Sequence, residues 1–310
     1  MKKLLTVFSI FLAFGALLCQ SCKKEASDPP KASIFYSVVD KQVAFTALTK
    51  RVVKWNWDFG DGKTSAEKDP VHIYDGGGYY TVKLTGTDEN GSSVGSEITI
   101  AVSLTPYVLL TGGATAASGK TWRLTRNHSE KDKLANADAA FTLANGAPES
   151  LPPGAFSLYL GMGEVYDDTF TFFYDGSYSH DTKEDHASFA GLLYEYITTG
   201  GDGIVNAGGA DFGLCTGLYT PETGATFTYV EKEDFPVQSV YGQDGVLTFK
   251  DVSTLDFSGT EFVGFMDNQR KVIVQEITDN SMRLVMFMAA SQDYFPLNTH
   301  ALILTFEVVK

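Results

Sequence analysis

The chain has 310 residues, 44% of them hydrophobic, and carries 24 basic against 38 acidic side chains. This length and composition favour two folded domains and argue against disorder. The net charge of −14 repels phosphate backbones, so nucleic acid is excluded as a partner and a neutral or cationic ligand is favoured. The 30 glycines, 22 phenylalanines and 15 tyrosines indicate many turns and strands, and therefore an all-β protein.

The N-terminus has the pattern of an export signal. Two lysines precede an apolar run from Leu4 to Leu18, which is too short to span a bilayer as a helix. Ser21 is the small residue that a lipoprotein signal peptidase requires before Cys22, and the segment resembles a bacterial lipobox. We predict a signal peptide over residues 1–21, lipidation of Cys22, and a tether over residues 22–31 that holds the protein at the outer membrane, exposed on the cell surface. An ordinary signal peptide with an incidental cysteine is the alternative.

Residues 32–105 have the alternation of a two-sheet β-sandwich. Every second side chain from Val53 to Phe59 is apolar, and this strand ends at the glycine turn of residues 60–62. Trp55 and Trp57 share the inward parity, so we expect them to pack in the core rather than to bind sugar rings.

An ordered set of residues in this region resembles the signature of PKD domains. It consists of Trp57-Asp58-Phe59-Gly60-Asp61-Gly62 followed by Pro70, His72, Tyr74, Gly78, Tyr80, Val82 and Leu84. The resemblance implies an immunoglobulin-like module of the kind that serves as a spacer in bacterial surface proteins.

After a small-residue linker, Thr111 to Gly119, residues 118–310 are predicted to form a second antiparallel β-sandwich, jelly-roll-like. Its hairpin around Asp175-Gly176 allows two registers. A two-residue turn pairs Phe172 with Ser179, whereas a three-residue loop with a left-handed Gly176 pairs Phe172 with Tyr178. The second register is preferred because it gathers the aromatic side chains on one face. The only candidate helix of this domain spans residues 130–143.

Catalytic motifs are absent from the sequence. There is no Gly-x-Ser-x-Gly elbow and no His-Glu-x-x-His. The acidic cluster Glu231, Glu233 and Asp234 is interpreted as a solvated loop, so a glycoside hydrolase is disfavoured. No cofactor is predicted, although Asp167 and Asp168 with loop carbonyls are weak candidates for calcium. Simple solvation of a strand end is the alternative for these two aspartates.

Carbohydrate binding is the remaining interpretation. Sugars are held by aromatic faces and by polar groups on the loops of a rigid sandwich. Two loops fit: residues 292–298 and the glycine-rich segment from Thr198 to Tyr219. The candidate binding residues are Gln292, Asp293, Tyr294, Phe295, Asn298 and Tyr219. The alternative is that Tyr294 and Phe295 plug the end of the sandwich.

The whole chain resembles lipoproteins of Bacteroidetes-type polysaccharide-utilisation loci. The features that carry the resemblance are the lipobox, the tether, the PKD signature, Tyr166-Asp167-Asp168-Thr169-Phe170 and Asp175-Gly176. The resemblance implies a surface glycan-binding protein that works beside an outer-membrane importer. Those relatives carry a tryptophan-rich segment before the Tyr-Asp-Asp strand, and residues 127–165 contain no tryptophan here. We predict a non-catalytic lipoprotein that binds a neutral polysaccharide through its second domain. A structural or adhesive protein with a protein partner is the alternative.

Overall fold

The computed structural model describes residues 28–310. The predicted signal peptide, Cys22 and the first part of the tether lie outside the described residues. Within the described part, no helix has both the length and the apolar character needed to cross a membrane.

The first domain is a sandwich of two antiparallel sheets. Its strands are β1 (Lys31–Val39), β2 (Gln42–Lys50), β3 (Lys54–Asp58), β4 (Thr64–Ser65), β5 (Val71–Ile73), β6 (Gly78–Thr87) and β7 (Ser93–Val102). The strand orders are β1-β2-β5 and β4-β3-β6-β7. Alternate side chains of both sheets point into one core around Phe45, Trp57 and Tyr80. Trp57 is fully buried and Trp55 packs partly buried against the same core, which confirms the expected packing role.

A short helix, α1 (Pro106–Thr111), joins the domains. Thr105 caps its first turn and proline occupies the first position, where no amide hydrogen is needed. Leu110 belongs to the core of the second domain, and its carbonyl accepts a 2.9 Å hydrogen bond from Trp122 Nε1. On the other side, Gly113 pairs with Gly78 of the first domain. The connection between the two domains, helix α1 together with Gly113 of the predicted linker, is therefore a packed joint.

The second domain consists of a curled nine-stranded antiparallel sheet and a three-stranded sheet. The elements are β8 (Lys120–Leu124), β9 (Lys133–Asn136), α2 (Ala155–Leu160), β10 (Thr169–Phe172), β11 (Tyr178–Asp181), β12 (Ala187–Gly191), α3 (Leu192–Thr199), β13 (Ile204–Asn206), β14 (Leu214–Leu218), β15 (Phe227–Gln243), β16 (Val246–Phe257), β17 (Val272–Ile277), β18 (Ser281–Met288) and β19 (His300–Val308). The large sheet has the order β11-β10-β8-β19-β18-β17-β16-β15, with β9 also paired to β19. The small sheet has the order β12-β14-β13. The all-β prediction is confirmed.

Both faces of the central strands are apolar. Leu284 and Leu304 point into a core shared with the small sheet, whereas Phe287 and Ile303 point into a second core under the curl of the large sheet. A strand that is covered on both faces has no polar side, so β18 is a nearly continuous apolar run.

Two local predictions had opposite outcomes. The hairpin has Phe172 opposite Tyr178 and Phe170 opposite His180, with Gly176 at φ 90°, so the three-residue loop is confirmed. The helix proposed for residues 130–143 is wrong, because this segment contains strand β9, which pairs with β19.

Candidate functional site

The second domain contains two adjoining cavities, both lined by Leu134 and Phe212. One, the apolar cavity, has a volume of about 360 Å³ and is lined almost entirely by carbon atoms. The other, the polar pocket, has a volume of about 400 Å³ and mixes polar and apolar side chains. We call the two together the cleft. Each volume lies in the range of small-ligand sites.

Helix α2 forms one wall of the apolar cavity. Gly154 and Gly161 adopt left-handed conformations at its two ends, which limits it to six residues. Tyr166 holds it in place, because the hydroxyl of Tyr166 accepts a 3.1 Å hydrogen bond from the amide of Phe156. The helix is therefore short and fixed at its start.

A buried polar network supports Tyr166. His128 Nε2 lies 2.8 Å from the Tyr166 hydroxyl, and His128 Nδ1 lies 3.0 Å from Asp132. Burial alone would raise the pKa of Asp132, but hydrogen bonds from His128, Ser129 and Thr305 outweigh it and lower the pKa. The charged form of this carboxylate is stabilised, and through His128 it supports Tyr166 at the cavity wall.

Three exposed aromatic side chains surround the cleft. Tyr159 on α2 is 71% exposed, Tyr196 on α3 is 55% exposed, and Phe212, in a 3-10 turn, is 41% exposed. Aromatic side chains left in water at a concave site are typical of ligand recognition, because their flat faces remain available.

The polar pocket adds groups that form hydrogen bonds. Asn145, Asp211, Gln292 and His300 line it together with Tyr196. Burial lowers the pKa of His300, so this imidazole is neutral at neutral pH. Its Nδ1 lies 2.9 Å from the Thr299 hydroxyl, which leaves Nε2 for a ligand. Asp211 is the one carboxylate among the described residues that line the cleft.

The predicted binding loop is divided by the structure. Gln292 lines the polar pocket. Tyr294 is 56% exposed and Asp293 is exposed, but neither lines the cleft, and Phe295 is half-buried. Only one residue of this set is therefore placed at the cleft.

The two remaining candidates are structural in position. Asn298 is buried, and its Nδ2 donates a 2.7 Å hydrogen bond to the carbonyl of Gln238, which anchors the loop. Tyr219 stacks on His180 and contacts Phe262 edge to face, away from the loop.

Sequence reasoning missed Asn145, Tyr159 and Tyr196. The glycine-rich segment from Thr198 to Tyr219 was among the candidate loops, and Asp211 and Phe212 lie in it. The sequence feature that could have indicated Tyr159 is its position in a short apolar stretch between Gly154 and Gly161. These two glycines limit the helix to six residues, and Tyr159 on it remains exposed.

Comparison with known proteins identifies the first domain. A family model for the PKD domain matches residues 32–103. Residues 32–103 are a PKD domain. The chain is 46% identical to collagenase ColQ1 of Bacillus cereus over 52 residues. This match covers 17% of this chain and 5% of the collagenase. The chain is 36% identical to the pre-pro-metalloprotease PrtV of Vibrio cholerae over 95 residues, and this match covers 31% of this chain and 10% of the protease. The chain thus spans a small part of these relatives.

Two solved structures match this chain at low TM-scores. The PKD1 domain of Vibrio anguillarum Epp is 30% identical, covering 25% of this chain and 96% of that one, with a TM-score of 0.24. A structure of carbohydrate-binding modules from the β-sandwich superfamily covers 91% of this chain and 92% of that one, at 15% identity and a TM-score of 0.25. At that level of similarity it assigns no function to the second domain.

The signature residues of the PKD domain hold its fold together. His72 Nε2 lies 2.7 Å from Asp61 in the turn that follows β3, and the His72 ring stacks on Phe59. The hydroxyl of Tyr74 donates a 3.0 Å hydrogen bond to the Phe59 carbonyl. These polar groups are satisfied within the domain, so the signature supports packing.

The calcium candidates have separate partners. Asp167 is exposed and forms a 3.1 Å ion pair with Arg126. Asp168 is buried and accepts a 2.6 Å hydrogen bond from the hydroxyl of Ser188. Among residues 28–310 the structure contains no group of three or more His, Cys, Asp or Glu side chains arranged to hold a metal ion.

Asp168 belongs to a buried charged cluster with a serine. Ser188 Oγ lies 3.2 Å from His180 Nε2, and His180 Nδ1 lies 3.4 Å from Glu261. The order resembles a nucleophilic triad, but all four side chains are buried and none lines the cleft. Burial works to lower the pKa of His180, but the two carboxylates outweigh it and raise the pKa. The cluster is therefore a buried ion-pair network of the core.

Proposed function

We propose that this protein is a surface lipoprotein that binds a neutral polysaccharide in the cleft of its second domain, without hydrolysing it. The observation that supports this function best is the position of Tyr159, Tyr196 and Phe212, exposed around two cavities that also contain neutral polar groups.

The chemistry of the cleft suits sugar rings. A pyranose ring has an apolar face of C–H groups, which stacks on aromatic side chains, and a rim of hydroxyl groups, which need hydrogen-bond partners. Asn145, Gln292 and His300 offer both donors and acceptors for hydroxyl groups. Asp211 and the acidic surface of the chain disfavour anionic polysaccharides.

The carboxylates support the proposal of binding without hydrolysis. Glycoside hydrolases generally use two of them, about 5–10 Å apart across the scissile bond. Asp211 is the one carboxylate that lines the cleft in the described part of the chain, so it has no partner there for such a reaction.

The anchoring arrangement is part of the same proposal. The lipobox at Cys22 attaches the chain to the outer membrane, and the PKD domain stands between the anchor and the binding domain. Such a protein would present the polysaccharide to an importer in the same membrane.

The test is affinity-gel electrophoresis of the mature chain in gels that contain one neutral or one anionic polysaccharide each. We expect retardation by a neutral polysaccharide. Tyr196→Ala should weaken binding about 5- to 30-fold, because loss of an aromatic contact removes roughly 1–2 kcal/mol.

Tyr294→Ala is the matched control, because Tyr294 is as exposed as Tyr196 but lies outside the cleft. Its retardation should equal that of the wild type. If Tyr294→Ala weakens binding and Tyr196→Ala does not, the site lies on the 292–298 loop instead. The absence of retardation by every polysaccharide would contradict the proposed function.

One observation favours a second candidate, adhesion to a protein. The outer face of the β1-β2-β5 sheet carries the exposed apolar side chains Phe35, Leu48, Val71 and Ile73. Exposed apolar patches of this kind mark interaction surfaces. Co-purification of one surface protein with the wild type, lost in a Phe35→Ser and Val71→Ser double variant, would support this candidate.

A further inference from the structure

We infer that the apolar cavity holds an uncharged acyl or aryl substituent of the bound glycan, so that the ligand is a substituted polysaccharide rather than a bare one. The inference rests on the proposed function, because the apolar cavity and the polar pocket are parts of one cleft.

The lining of the apolar cavity excludes an unsubstituted sugar. Side chains such as Leu151, Phe156, Leu214 and Leu302 surround it, and it presents almost no polar surface. A hydroxyl group placed there would lose its hydrogen bonds to water without replacement, which is unfavourable. Hydrocarbon, in contrast, gains from the transfer.

The size of the cavity sets the size of the substituent. Its volume is about 360 Å³, and a water molecule takes about 30 Å³ of liquid, so roughly a dozen groups of that size fit. A medium-length acyl chain, or an aromatic ring on a short ester link, meets this limit.

The cavity is built to stay open. The amide of Phe156 is bonded to Tyr166 at the start of α2, and at its end the Gly161 carbonyl accepts a 2.9 Å hydrogen bond from Asn206 Nδ2. The opposite wall contains Leu134 and Leu302 on the paired strands β9 and β19. Because hydrogen bonds anchor both walls, a ligand meets a preformed site.

The charges of the cleft distinguish an ester from a free acid. No lysine or arginine lines either cavity in the described part of the chain, and burial lowers the pKa of His300 and keeps it neutral. A free fatty-acid carboxylate would therefore have no cation to pair with, and Asp211 would repel it. An uncharged group attached to a sugar fits both halves of the cleft, which meet at Leu134 and Phe212.

The test is titration calorimetry of the mature chain with n-octyl β-D-glucopyranoside, kept below its micelle concentration, and with methyl β-D-glucopyranoside. We expect the octyl glycoside to bind with one site per chain and at least about tenfold more tightly than the methyl glycoside. Equal affinities, or no saturable binding of the octyl glycoside, would overturn the inference.

Two variants place the binding. Ala147 is half-buried and lines the apolar cavity, so Ala147→Phe fills the space, whereas Ala147→Ser leaves it open. Ala147→Phe should abolish the preference for the octyl glycoside and Ala147→Ser should retain it, with equal melting temperatures as evidence that both fold. A preference that survives in Ala147→Phe would place the octyl chain elsewhere and overturn the inference.

The two proposals fail in different ways. If a polysaccharide retards the protein but octyl glucoside does not bind, the proposed function stands and the inference of an apolar substituent is overturned. Binding of octyl glucoside in the cavity without retardation by any polysaccharide removes the proposed function, and the cavity then remains a site for apolar glycosides of small size.

Discussion

Asp267 is a carboxyl group enclosed between the two sheets of the second domain. It is fully buried, and its Oδ1 accepts hydrogen bonds from the amide (2.6 Å) and from Nδ2 (3.1 Å) of Asn268. Its Oδ2 lies against Gly191, where an added Cβ would be 2.2 Å away. Burial raises the pKa of Asp267 to about 7, although the bonds from Asn268 act in the opposite direction.

This shift makes the stability of the domain depend on pH. The folded state holds the proton of Asp267 more strongly than the unfolded state, where the pKa is near 3.8. The protonated carboxyl therefore contributes its full share to the free energy of unfolding below about pH 4, and this contribution is lost as pH rises through 7. A shift of about three pKa units corresponds to about 4 kcal/mol, of which about 2.5 kcal/mol is lost between pH 5 and pH 8.

Asp267→Asn replaces the carboxyl with a neutral group of the same shape. Relative to the wild type, the variant should therefore gain about 2.5 kcal/mol of unfolding free energy between pH 5 and pH 8, whatever constant offset the amide introduces. Urea unfolding followed by circular dichroism across this range measures the difference. Asp293→Asn, on an exposed side chain, is the control and should show no such trend. A difference for Asp267→Asn that stays flat with pH would refute the reasoning.

Three further predictions concern backbone and packing. Gly113→Val would place its Cβ 2.7 Å from the backbone of the PKD domain. This clash should separate the two domains, so small-angle scattering should show a longer particle. The control Gly91→Val has nearly the same φ, 84° against 83°, but open space around it, and should not lengthen the particle. Gly176→Ala, at φ 90°, should destabilise the second domain by about 1–2 kcal/mol, whereas Gly95→Ala, with open space and no positive φ, should cost nothing in thermal unfolding. Trp122→Phe leaves a buried carbonyl without its donor and a void beside it, so chemical denaturation should show a loss of about 2–4 kcal/mol.

The parts of the fold that depend on neighbours in sequence were predictable. The alternation that ends at the Gly60 turn defines β3, and the PKD signature gave the first domain. The register of the β10–β11 hairpin was predictable because one left-handed glycine and one aromatic face fix it together. In each case a short stretch of chain carries the whole signal.

The cleft was not predictable because its residues are distant in sequence. Leu134, Tyr159, Phe212 and Gln292 come from four separate segments. Helix α2 has six residues, which is too short for a helical period to show. Strand β9 has Leu134 and Ala135 both buried, on opposite faces, so it lacks the alternation that marks a half-buried strand.

The joint between the domains decides where the second domain begins. A fragment that starts at residue 118 would lose Leu110 from the core and leave Trp122 Nε1 without its acceptor. It would also lose Tyr107, which stacks on Phe227 and donates a 3.0 Å hydrogen bond to the carbonyl of Tyr174. Helix α1 thus follows the first domain directly in sequence but packs as a part of the second domain. Experiments on the cleft therefore need a protein that includes helix α1, since a failure to bind in a fragment without it would report damage to the core and not the absence of a site.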